Sequence, residues 1–129
     1  MKKNEQQEHE IITIAKFITV TKPTESIDEM NENLFLAVGF STRVGTMLSE
    51  AVYHYSVNRE AHLASLKDME SETETTRRSK LDAWTAGDKK LVDDLKNLKS
   101  NLRSLQMALM QSIKTLREES QQTRYGVSQ

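Results

Sequence analysis

The sequence predicts an all-α protein: a long antiparallel helical hairpin with a coiled-coil seam, preceded by a short N-terminal segment and assembled into an oligomer. Three observations predict it. Alternate steps of three and four from Leu81 land on Leu81, Trp84, Asp88, Leu91, Leu95, Leu98, Leu102, Leu105, Leu109, Ser112 and Leu116, and only Asp88 and Ser112 are not large and apolar. A 3.5-residue period held over five heptads marks a helix zipped against another helix. Breakers are few, one proline and four glycines in 129 residues, which suits long helices better than a sheet. Finally, the polar run from Glu70 to Thr76 divides two arms of similar length, the layout of a hairpin.

Composition narrows the chemistry. With no cysteine there are no disulfides and no thiolate metal sites. The most apolar run, Ile11 to Thr21, is too short to span a membrane, which takes about 20 apolar residues, and it contains Lys16. Glu5, Glu8 and Glu10 precede it where a secretory signal would be basic, so a cytoplasmic protein is expected. The net charge of −1 hides an asymmetry. Residues 1–70 carry seven basic and eleven acidic side chains, whereas 75–117 carry ten basic residues against four aspartates. Charge separated between arms says more than the total.

In chain order, residues 1–22 form the N-terminal segment. Eight of the eleven residues from Ile11 to Thr21 are β-branched, which favours an extended strand, although Ile11, Ile14, Ala15 and Ile18 also make a helical stripe. A lone strand would need a ladder partner from another subunit or another protein. Lys22 and Pro23 end the segment and open the hairpin, residues 23–119. Thr24 or Ser26 offers an N-cap, with Glu25, Asp28 and Glu29 where the helix dipole favours acids.

The first arm is expected from about 26 to 70. Ile27, Met30, Leu34, Val38, Gly45, Leu48, Val52, Tyr55, Leu63 and Leu66 follow a period near 3.6, and Leu36, Phe40, Val44, Met47 and Ala51 form a second stripe. A helix apolar over so much of its circumference must be covered on two sides. Ser41, Gly45 and Ser49, four apart, would admit a neighbouring backbone, which explains glycine within a helix. The turn is expected at about 71–74 and the second arm at about 75–119, continuing through Gly87 and Asp88. The polar tail, 120–129, is expected to be disordered.

Arms of about 45 residues reach roughly 65 Å. Folding them together gathers the surplus apolar residues at the open end. Two helices and one short segment leave that surface uncovered, so a homo-oligomer is expected through Leu36, Phe40, Val44, Met47, Met107, Met110 and Ile113.

The positions one after the seam's first are Asp82, Lys89, Lys96, Arg103, Met110 and Arg117, four of six basic and about 10 Å apart along the arm. Lys99 and Lys114 stand beside them at helical spacing, and Arg77, Arg78 and Lys80 add a cluster near the turn. Such a row of cations suits a phosphodiester backbone, whose binding is driven by counterion release. The bland alternative is a solubilising face paired with acids of another helix. Trp84, at a seam position, is expected in the core. Tyr53 and Tyr55 cannot both be buried in one stripe, which leaves Tyr53 available to a partner or a base. Glu50, His54, Asn58 and His62 share a helix face, read as a solvated polar stripe rather than a metal site. No phosphate loop, no nucleophile with a matching base and no carboxylate pair on a cleft is present, so neither catalysis nor a cofactor is expected.

The arm ending Tyr53-His54-Tyr55 with Arg59, the turn-side Arg77-Arg78-Ser79-Lys80, the Ala86-Gly87-Asp88-Lys89 passage and the close Ser112-Ile113-Lys114 with Arg117 carry a resemblance. Over about residues 48–117 the chain resembles the UvsY-type recombination mediators of tailed phages. The resemblance implies an oligomer in the host cytoplasm that binds single-stranded DNA and helps a recombinase displace a single-strand binding protein. The other open reading is a protein-interaction module, a scaffold or an inhibitor of a host protein, that binds no nucleic acid.

Overall fold

The computed structural model of the protein describes residues 2–67 and 73–126. It has three helices, α1 (Lys2–Val20), α2 (Ile27–Lys67) and α3 (Glu74–Gly126), and no strand among the described residues. The chain forms two compact units, one of residues 1–43 with 98–129 and one of residues 44–97. In each, α2 packs against α3 as in a helical hairpin. In the second unit Asn58 meets Asp88 and His62 meets Trp84, so the two helices run antiparallel there.

The first unit corrects the expectation of an extended N-terminal segment. Residues 11–20 are helical, within α1. Helix propensity separates β-branched residues from the best helix formers by less than about 0.7 kcal/mol each. Burying one large apolar side chain is worth about 1.5–3 kcal/mol. Packing therefore decides the conformation. Ile14 is fully buried, and Phe17 meets Phe40 of α2 edge to face at 5.0 Å between ring centres. Thr13 and Thr19 donate their hydroxyls to the carbonyls of His9 and Ala15, each at 2.9 Å, which suits threonine to a helix surface. Arg43 of α2 grips Glu10 with two donors, Nε at 2.6 Å and Nη2 at 3.3 Å. Beneath lies the core of this unit: Met30, Leu105, Leu109 and Ile113, with Phe17, Ile18, Ile27, Leu34 and Leu116 packed around it.

Ser26 is the N-cap of α2. Its Oγ accepts from the Glu29 amide at 3.2 Å, and its carbonyl accepts from the Met30 amide at 3.1 Å. Asp28 and Glu29 lie in the first turn, where the dipole favours them. Close packing within the chain does not account for the α2 glycines, because a Cβ built on Gly39 or Gly45 meets nothing within 4 Å. Exposed helical glycine costs about 1 kcal/mol relative to alanine. Gly39→Ala is therefore expected to stabilise the protein by up to about 1 kcal/mol in urea unfolding. A loss of stability would mean that something seats against that bare backbone in solution.

Thr73 caps α3, accepting the Thr76 amide on its Oγ at 3.3 Å and the Arg77 amide on its carbonyl at 3.0 Å. The helix thus starts at Glu74, one residue earlier than expected. Residues 68–72, which include the expected end of the first arm and the first half of the turn, lie outside the described residues. The helix passes through Gly87 and Asp88 without a break and continues to Gly126. The expectation of a disordered tail from 120 is corrected accordingly, with 127–129 outside the described residues.

Most of the seam is where the leucine pattern puts it. Leu81, Leu95, Leu98, Leu102, Leu105 and Leu109 are buried, and Asp88, Leu91, Ser112 and Leu116 are half-buried. In the second unit the buried line shifts by one residue, to Thr85 and Val92 rather than Trp84 and Leu91. A straight helix with 3.6 residues per turn drifts against a 3.5-residue repeat, so the covered face moves. Thr85 is accommodated because its hydroxyl donates to the Leu81 carbonyl at 2.8 Å. The expectation that Trp84 belongs to the core is corrected: 42% of it is exposed.

Candidate nucleic-acid interface

In the first unit four predicted cations, Lys99, Arg103, Lys114 and Arg117, are exposed on α3. Steps of three and four through Met107 and Met110 connect them, so all six share one helix face. From 99 to 117 that face runs about 27 Å at 1.5 Å per residue. Among the described residues none of the four cations forms an ion pair with a carboxylate. Unpaired, solvated cations in a line remain available to an external polyanion. Beside them an open groove of about 360 Å³ is lined by Asn31 and Leu34 of α2 and by Met110, Ile113, Lys114, Arg117, Glu118 and Gln121 of α3, so one carboxylate shares it with the two cations.

In the second unit the remaining cations differ among themselves. Lys89 and Lys96 are exposed and make no ion pair among the described residues. Arg77 and Lys80 are half-buried and already engaged in interactions of their own, while Arg78 is exposed. Arg77 and Arg78 line a cavity of about 460 Å³, where α2 adds Arg59 and Lys67. Leu63, Leu66 and Leu81 give this cavity apolar walls, and Glu74 and Asp82 answer part of its positive charge. Arg59 and Lys67 were not among the predicted cations. They sit on the acidic arm, where an arm-by-arm count of charge conceals them.

The residues expected at an oligomer interface divide. Val44, Met47 and Ile113 are buried within the chain, and Phe40 is half-buried against Phe17. Leu36, Met107 and Met110 are exposed, the two methionines by 62% and 58%. Periodicity shows that a stripe must be covered without showing by what. For these buried residues the cover is the protein itself.

Aromatic rings also reach the surface of the second unit. Tyr53 is exposed and meets His54 edge to face, while Tyr55 is half-buried. Trp84 lies against His62 with 5.0 Å between ring centres and 38° between planes. Seam arithmetic placed Trp84 in the core and His62 in a polar stripe, so their pairing was missed. The signal was available in the polar Thr85 that follows Trp84, since a hydroxyl bonded to its own helix can take a buried position.

Among the described residues no group of three or more His, Asp or Glu is placed to hold a metal ion. No described helix is long and apolar enough to cross a membrane. In comparison with known proteins, no family model matches this sequence, and no curated protein or solved structure matches it significantly.

Proposed function

We propose that the protein is a non-catalytic helical module that binds single-stranded nucleic acid through the basic face of α3 and works as a homo-oligomer. The observation that carries this reading is the line of exposed, unpaired cations Lys99, Arg103, Lys114 and Arg117. In the bland alternative these would meet carboxylates of a packed neighbour, and no described residue supplies them. By its resemblance to the UvsY-type mediators, the module is a phage or mobile-element accessory factor that loads a recombinase.

Anisotropy of a labelled oligo(dT) tests it. Four neutralised phosphates give a slope of roughly −3 in log K against log salt, so raising salt from 50 to 200 mM weakens binding about 50-fold. Lys99→Glu with Arg103→Glu is expected to abolish binding while leaving the helical circular dichroism intact. Wild-type protein with no salt-sensitive binding at 50 mM ends the reading.

A second reading, a module for protein partners, is favoured by one feature. Met107 and Met110 interrupt the cationic line with exposed apolar surface, and Leu36 is exposed on α2 of the same unit. A protein partner would cover such surface where a phosphate chain gains nothing from it. This reading predicts no oligonucleotide binding.

A further inference from the structure

We propose that Trp84, backed by His62, is a base-stacking platform, so that the second unit takes an unpaired nucleobase rather than a duplex. The inference rests on the nucleic-acid reading above and specifies the form of the ligand. Trp84 stands at a seam position, yet the neighbouring Thr85 occupies the core there, with 3% exposure, and the indole remains at the surface. One side of the indole is held by the half-buried His62 ring. Of the whole residue, 42% stays open to solvent. An aromatic ring held by a partner and partly open to solvent gives a flat base a surface on which to stack. The bases of a duplex are already stacked on one another and offer no such face.

The surroundings fit a nucleotide. The exposed Arg59 precedes His62 by one turn on α2. Arg59 thus supplies a cation on the helix that carries His62 for the phosphate of a base stacked on the indole. Asp88, one turn beyond Trp84, accepts a hydrogen bond from the Asn58 amide at 2.9 Å. That carboxylate is thus tied to α2 beside the platform.

Trp84 is the only tryptophan in the chain, so fluorescence excited at the red edge of indole absorption reports on this site alone. Full-length protein is titrated with oligo(dT) and with a duplex of equal length, while anisotropy of a labelled strand measures binding separately. Stacking is expected to quench the fluorescence with the single strand and not with the duplex. Trp84→Leu is expected to weaken single-strand binding on the order of 10-fold or more, and Trp84→Phe to retain most of it. Circular dichroism of both variants verifies that the helices persist. Anisotropy that reports binding without quenching, or with unchanged affinity in Trp84→Leu, overturns the platform and leaves the basic face standing. Equal quenching by the duplex overturns the preference for an unpaired base. Absence of binding in both assays removes the platform together with the nucleic-acid reading.

Discussion

Leu109→Ala is expected to destabilise the protein by about 3 kcal/mol, within the usual range of 2–5 kcal/mol for emptying a packed leucine site. Leu109 has no exposed surface and sits in one cluster with Met30, Leu105 and Ile113. Truncation removes three carbons from a core whose walls come from helices on several sides, so little collapse can fill the space. For a chain of this length the loss lowers Tm by roughly 10 °C. Met107, two residues earlier on the same helix and mostly exposed, is the internal control. Met107→Ala should remain within about 0.5 kcal/mol of wild type. Urea unfolding measures both. Equal losses at the two positions would mean that α3 presents another face to α2.

Ile14→Asp is expected to release α1 and unfold it. A carboxylate at a site with 1% exposure loses its hydration, and the Arg43 guanidinium one turn away is already held by Glu10, so the group must either drag water inward or leave. Leaving is the cheaper course, because α1 has solvent on its other side. A free helix of 19 residues is only marginally stable in water, so the released segment loses its structure. With 41 helical residues in α2 and 53 in α3, ellipticity at 222 nm should fall by roughly a sixth. The freed surface around Phe40 and Met30 should then promote association, visible as increased light scattering. Unchanged ellipticity would show that α1 does not depend on Ile14 for its place.

The leucine repeat made α3 legible because a heptad spacing sustained from Leu81 to Leu116 has one physical solution. The N-cap of α2 was legible only as a choice between Thr24 and Ser26, and the Ser26 hydroxyl on the Glu29 amide decides it. Residues 11–20 were not legible, since their β-branched content and their helical stripe point in opposite directions. Contacts with residues distant in sequence, Phe40 on Phe17 and the Met30, Leu105, Leu109 and Ile113 core on Phe17 and Ile18, decide between them. Trp84 failed differently: a seam position was read as a buried one, although the covered face drifts along a long helix. The solvent exposure of Arg103, Lys114 and Arg117 followed from their phase relative to the seam, whereas Lys99 shares its phase with the buried Thr85, Val92 and Ile113 and is exposed because the covered face has moved by that point. Whether Val44 and Met47 faced their own chain or another depended on the placement of elements that the pattern does not encode.

The fork between Glu10 and Arg43 has a consequence for alignment. Both side chains are partly open to water, so the contact contributes little to stability. Its effect is to choose among alternatives. Sliding α1 by one turn along α2 would offer Gln6 or Ile14 to the guanidinium, and neither carries a carboxylate. Greasy ridges tolerate such slippage, since one isoleucine fits a groove much as another does. A two-pronged ionic peg does not, and it gives the first helix a single resting notch.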